Sequence, residues 1–415
     1  MPLFPRRKLG WRTLRLGHKG PDVAQLHAFL RRQGYDLGEE TDFGYLTKDA
    51  VRRWQRDHGL VADGIAGKRF FALALKKDVP VLRTVHVASP QETLEEIAKT
   101  YGVGVEAFGA SFSQKPVYPG QHLIFFDREI WGLCLGDPEV KTSPGQLTGR
   151  ICSQHPDTPW PEPYILRPSL NSDDLVTIHQ YLRTHGRRRK LAKESIQSLG
   201  DAHGFYLPWE KVAPVDGRRY LKLLKLLRKK LKPPALLWVE LGPNVPSWTL
   251  LGGVDYEAVN NLVDRVVLPL PPPPTPGPLA CQKDAEELVD SLLPTIHSWK
   301  ILLKIPVYAL EWEQDLEGEN VVRRLPYQTA LSRAYRHGAR LSQDEGGFPY
   351  YSYKKRDRNY QIWLPHHGLL EEMAFVANRH NLAGLVLDSL GLEDPRIWQI
   401  LTRYFRIASL NNSQE

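Results

Sequence analysis

The chain has 415 residues, 42% of them hydrophobic and 25% charged, with a net charge of +8. That length and balance describe a globular protein of two or three domains and exclude a disordered or collagen-like chain. The basic excess favours polyanionic surroundings such as nucleic acid, anionic lipid or wall polymer without choosing among them, and a solvated surface explains it as well.

Three cysteines, Cys134, Cys152 and Cys281, give neither a disulfide framework nor a zinc spacing. Each reads as a neutral thiol, and no metal and no cofactor is expected. The basic N-terminus lacks an apolar run of signal-peptide length, and no later stretch is long enough to span a bilayer. Synthesis in the cytoplasm, without a membrane span, is the expectation.

Residues 14–75 read as a helical unit of three short amphipathic segments, entered through a turn at 17–21. Val23, Leu26 and Leu30 share one face of the first segment; Ala50, Val51 and Trp54 share one face of the second; residues 67–75 form the third. Gly34, Gly59 and Gly64 mark segment ends, where positive φ is wanted. These residues resemble the peptidoglycan-binding module of bacterial wall enzymes. Its G-x-x-V-x-x-L opening stands at Gly20, Val23 and Leu26, and its F-G-x-x-T-x-x-A-V-x-x-aromatic-Q centre runs from Phe43 to Gln55. Its D-G-I-x-G close stands at Asp63, Gly64, Ile65 and Gly67. Most of these are core and turn positions, so they identify a fold rather than a binding surface, and Trp54 reads as a buried aromatic.

Residues 81–128 read strand, helix, helix, strand, at 84–87, 93–101, 105–108 and 122–126. Val85 and Val87, then Thr93, Leu94, Ile97, Ala98, Tyr101, Gly102 and Val103, then Pro119, Gly120, Gln121 and Leu123 resemble a LysM domain. The resemblance implies a shallow groove for chains of N-acetylglucosamine. Two departures stand out: the usual Gly-Asp is Gln91-Glu92, and the usual Asn of the second loop is missing near Phe112.

From about residue 129 onward, apolar runs alternate with amphipathic helices, the pattern of a parallel α/β fold. Candidate strands are 130–135, 204–209, 236–241, 263–270, 301–310 and 384–390. Between the second and third, Tyr220, Leu223, Leu224, Leu227 and Leu231 form the apolar stripe of an outer barrel helix whose lysines face solvent. Residues 270–278, mostly proline, read as a stiff loop. Residues 346–364 suggest a hairpin insertion whose Phe348, Tyr350, Tyr351, Tyr353, Tyr360 and Trp363 are candidates to stack on sugars, half of an alternating set facing a core.

Catalytic residues of a barrel sit at the C-terminal ends of its strands. Glu210 follows Trp209 there, and Glu240, Glu311 and Asp388 close three other apolar runs. The order Glu210, Val254-Asp255-Tyr256, Val266-Val267-Leu268, residues 300–308 and Gly391 to Pro395 resembles family-18 glycoside hydrolases. Within them it looks most like the spore-cortex and wall N-acetylglucosaminidases with N-terminal LysM domains. The likeness runs from His203 to Tyr404, while residues 130–202 are short for three strand and helix units. The fold expected is therefore multidomain: a three-helix domain over 1–80, a LysM βααβ domain over 81–128, and a (β/α)8-type barrel over 129–415 that is incomplete or distorted near its start.

The resemblance also implies a site. The family signature D-G-x-(D/N)-x-D-x-E falls on H-G-F-Y-L-P-W-E over residues 203–210. It implies that Glu210 is the proton donor and that Pro208 stands where an Asp would orient the substrate's acetamido group, whose oxygen is the nucleophile. A proline side chain can neither accept a hydrogen bond from the acetamido N–H nor share a proton with Glu210. The M-x-Y-D segment falls on Pro269-Leu270-Pro271-Pro272, and the last-strand Trp falls on Asp388. Losing one supporting group costs roughly 10²–10³ in rate, so the reading favoured is a wall or spore glycan-binding protein with a pseudoenzyme barrel. The alternative is an active N-acetylglucosaminidase, with Glu311 or Asp388 as auxiliary carboxylates about 6.5–9.5 Å from Glu210 in an inverting reaction. Trp209, Tyr206, Tyr308 and Trp312 are the candidate sugar contacts. The expected partner is peptidoglycan or another N-acetylglucosamine glycan, not nucleic acid, and the expected location is the spore or cell wall.

Overall fold

A computed structural model describes residues 9–58, 60, 62–75, 83–108, 117–134, 146–157, 160–167, 174–242, 253–314 and 320–410. The missing Asn near Phe112 lies outside the described residues. Three helices, Pro21–Arg32, Tyr45–Asp57 and Lys68–Ala74, enclose Val23, Leu26, Leu30, Val51 and Trp54, which have no exposed surface. The Gln55 amide donates to Asp63 at 2.7 Å, and the Gly64 N–H donates back to Gln55 at 2.8 Å. With Gly64 at φ 74°, the motif's glutamine and Asp-Gly pair form one latch.

This helical core does not end at residue 75. Trp299, just ahead of a barrel strand, is buried in it. The Trp299 ring lies 5.3 Å from His58 and stacks on His297 at 4.3 Å, while His58 stacks on Trp54 at 4.0 Å. The helical unit is thus seated on the end of the barrel where strands begin.

The next unit has the strand, helix, helix, strand order expected: β1 (Arg83–Val87), a helix Leu94–Tyr101, a 3-10 turn Val105–Phe108 and β2 (His122–Leu133). Thr93 and Glu96 close a capping box on the helix. β2 pairs antiparallel with β1 through His122 to Phe126, then continues as the first barrel strand from Glu129. One strand therefore serves both units.

The barrel strands are β2, β3 (Gly149–Cys152), β4 (Tyr164–Leu166), β5 (Gly204–Leu207), β6 (Leu236–Glu240), β7 (Arg265–Pro269) and β8 (Ile301–Pro306), completed by one near the C-terminus. The intervening insertion holds β9 (Ala309–Gln314), β10 (Asn320–Leu325), β11 (Ser342–Gln343), β12 (Pro349–Lys355) and β13 (Arg358–Trp363). β14 (Gly384–Asp388) then completes the barrel, and β15 (Arg406–Ile407) adds to the side of β2. The parallel order β2-β14-β8-β7-β6-β5-β4-β3 returns to β2, so the barrel is closed by eight strands. That corrects the expectation of an incomplete barrel. β3 and β4 are only four and three residues long, and no helix lies between them among the described residues, which is why 130–202 reads as short.

Strand alternation sorts the barrel into two cores. Phe205, Leu207 and Trp209 face the helices with Leu223, Leu224 and Leu227, whereas Trp131, Tyr206, Trp238, Val267, Leu302 and Val386 fill the interior. Trp131 and Trp238 meet edge to face at 4.6 Å. A Cβ at Gly149 would lie 2.4 Å from the Trp131 ring, so only glycine lets β3 pass it.

The run 301–310 is two strands rather than one. β8 ends at Pro306, which has no N–H to donate, and Val307 turns to donate its own to Asp388 at 2.8 Å. β9 then belongs to a separate antiparallel sheet ordered β10-β9-β13-β12-β11. The hairpin expected over 346–364 is β12 with β13. Leu310, Trp312 and Trp363 on one face join the main core, while Ala309, Tyr351 and Ile362 on the other pack with the helix Tyr327–Arg336. No described helix is long and apolar enough to cross a membrane.

Candidate functional site

The side chains that point inward at the C-terminal ends of the strands follow from the same alternation. Tyr206 faces the interior at the end of β5, and Pro208 and Glu210 follow two and four residues later; Glu240 lies two residues beyond interior Trp238, Lys304 two beyond Leu302, and Asp388 two beyond Val386. The Tyr206 hydroxyl donates to one oxygen of Glu240, and the Lys304 ammonium donates to the other. Burial pushes the Tyr206 phenol well above its ordinary range, and the neighbouring Glu240 charge pushes it further. Tyr206 is accordingly a fixed donor below the mouth.

Asp388 has its own cation. Arg324, reaching in from β10, lies 3.2 Å from the carboxylate, and the Ser389 hydroxyl donates to it at 2.7 Å. The same guanidinium lies over the Tyr308 ring, 4.6 Å from its centre. Burial pushes the Tyr308 phenol up to about 12, with Arg324 opposing and Asp388 adding to the shift.

Glu210 is half-buried just past β5, where its carbonyl accepts the Gly242 N–H at 3.0 Å. The Tyr256 hydroxyl donates to the Gly242 carbonyl at 3.0 Å. Burial pushes that phenol up to about 12, and the Glu210 charge contributes. Glu210, Gly242 and Tyr256 therefore form one rim of the mouth. Pro271 and Pro272, in the proline loop after β7, are exposed.

Other residues singled out in the sequence lie elsewhere. Glu311 does not close a barrel strand: it is fully buried within β9 and bonded to Arg333, with Arg323 at 3.8 Å. The continuous apolar run hid the change of sheet. Trp209 points outward between Tyr181 and Tyr220, whose rings lie 6.2 and 6.1 Å away. Trp312 is buried on the core-facing side of β9, and Tyr206 and Tyr308 are buried beneath their partners. None of these four rings has a face open to a sugar, because each is enclosed by protein.

The sequence reading missed Lys304 and Arg324. A lone lysine inside the run Ile301 to Ile305 is the signal for the first, since a fully buried strand tolerates a charge only with a partner inside. Arg324 carries no such signal because it arrives from the insertion. Among the described residues no group of three or more His, Cys, Asp or Glu could hold a metal ion.

Residues 19–73 match the family described as "Putative peptidoglycan binding domain". A curated relative, "Putative sporulation-specific glycosylase YdhD" of Bacillus subtilis, is 23% identical over 201 residues, covering 45% of this chain and 47% of that protein. The chain thus spans about half the length of this relative. The structure resembles the spore cortex-lytic enzyme SleL of Bacillus cereus at 15% identity and TM-score 0.58, covering 95% of this chain and 98% of that one. The SleL of Bacillus megaterium matches at 17% identity and TM-score 0.57, covering 80% and 88%. The chain is therefore a multidomain protein in which a helical segment matching the peptidoglycan-binding family precedes an eight-stranded barrel with the fold of the spore cortex-lytic enzymes.

Proposed function

We propose that the protein binds peptidoglycan or a related N-acetylglucosamine polymer at a spore or cell wall, and that its barrel holds glycan without the hydrolysis its fold relatives' names describe. The reading rests above all on Glu240 and Asp388, the strand-end carboxylates nearest in kind to a catalytic partner, each being held by a cation, Lys304 and Arg324. With Pro208 where an acid is expected, these two carboxylates are committed to their cations rather than left to steady a cationic sugar intermediate beside Glu210. The helical module over 14–75 and the LysM-like unit over 83–126 are assigned to the same polymer. Three weak sites on one chain raise each other's effective concentration, so modest grips sum to firm retention.

The second reading is an active N-acetylglucosaminidase, favoured by Glu210 keeping a half-buried place at the mouth beside Tyr256. Retention is tested by sedimenting the full chain with insoluble spore peptidoglycan, chitin and cellulose. Retention on the first two above the cellulose control is expected. Equal retention on all three contradicts the assignment.

A further inference from the structure

Arg167 follows directly on β4, two residues beyond Ile165, which belongs to the barrel interior. Its own N–H donates to the Cys152 carbonyl at 2.7 Å, so the strand register still holds there and the side chain faces inward. Its charge reaches the Tyr206 hydroxyl at the heart of the barrel, where it partly offsets the effect of burial. Arg167 is half-buried and, among the described residues, its side chain makes no hydrogen bond or ion pair.

Two of the strand-end acids around Tyr206 are already committed. Both Glu240 oxygens are taken, one by Tyr206 and one by Lys304, and Asp388 is held by Arg324 and Ser389. Arg265, an arginine with little exposure along the barrel, has its carboxylate, Glu129, in place. A guanidinium is a rigid fork of donors that fits a carboxylate with two parallel bonds, and a neutral sugar hydroxyl cannot match that charge.

We infer that Arg167 is a carboxylate receptor in the barrel mouth, so that the barrel's ligand is an acidic amino sugar carrying a lactyl-type carboxylate rather than neutral N-acetylglucosamine. The inference rests on the glycan-binding reading and deepens it. Arg167 serves as a specificity-determining residue, not a catalytic one.

The test titrates the full chain by calorimetry with N-acetylmuramic acid and with its methyl ester, the same sugar without the charge. The acid is expected to bind about tenfold more tightly at low salt, in keeping with hydrogen bonds to a charged group. That preference shrinks as salt is raised. Arg167→Gln removes the preference and Arg167→Lys keeps part of it, with circular dichroism showing both variants folded.

Equal affinity for acid and ester, or a preference that survives in Arg167→Gln, overturns the inference. Arg167-dependent binding of acetyl-lysyl-D-alanyl-D-alanine in place of the sugar acid overturns the assignment of the carboxylate to the sugar. If neither sugar binds while the chain is still retained on insoluble peptidoglycan, the inference fails and the wall-binding reading stands. If retention is also lost, both fail.

Discussion

Tyr206 donates its hydroxyl to Glu240 inside the barrel, and Lys304 holds the other carboxylate oxygen. The three groups come from strands β5, β6 and β8, and together they occupy the level just below the mouth. Lys304→Met leaves the Glu240 charge buried without its cation and is expected to destabilise the protein by about 3–5 kcal/mol. Adding Glu240→Gln to that variant recovers most of the loss. Urea denaturation of the two variants measures both effects; a single variant within about 0.5 kcal/mol of the parent would show that the ion pair is not desolvated.

Trp299 joins the barrel to the helical module through the ring series Trp54, His58, Trp299 and His297. Truncation to alanine opens a large cavity at that seam, so a cost of about 3–5 kcal/mol is expected. Calorimetry of Trp299→Ala should resolve an early transition for the helical module, whereas a single unchanged transition would mean the seam contributes nothing to cooperativity.

These two relationships also show what the sequence could and could not convey. The helical module is legible because its motif residues are core and latch positions, and local chemistry decides both. Barrel closure is not, because three- and four-residue strands carry too little period to register. Alternation around residues 203–210 separates Trp209 from Glu210 and carries the signal that the tryptophan faces the helices, a signal that the choice of Trp209 as a sugar contact overlooked. Lys304 is legible as a lone charge in an apolar run. The Asp388 partner is not, since Arg324 is 64 positions away on a sheet of its own.

Gln91 sits at φ 73°, in the left-handed region that a glycine adopts without strain. Its neighbour Glu92 accepts the Ser89 N–H at 2.6 Å and bonds His86 at 3.0 Å, which holds the turn in that shape. Gln91→Gly is expected to stabilise the unit by up to about 1 kcal/mol. Thermal denaturation reads the change, and a loss of stability would mean the Gln91 side chain contributes more than its backbone costs.

The helical module should weaken in acid. Burial alone would push the Asp22 carboxyl up, but Arg12 at 2.6 Å and the Trp11 indole N–H at 2.8 Å outweigh it and hold the group below its usual range. A depressed carboxylate contributes stability above its unfolded value near pH 4 and loses it as pH falls through the folded one. Asp22→Asn is expected to cost about 1.5–3 kcal/mol at neutral pH and to show a smaller acid dependence than the parent. Denaturation at pH 7, 5 and 3 reads both, and parallel pH profiles would remove Asp22 from the account.

The most direct test of glycan binding without turnover is reducing-end release from spore peptidoglycan and chitin oligosaccharides, measured for the full chain and for Glu210→Gln with product analysis by mass spectrometry. Both proteins are expected to be retained on the insoluble polymer, and neither to release new ends above the protein-free control. Release by the parent that disappears in Glu210→Gln would contradict binding without turnover and make Glu210 a working proton donor.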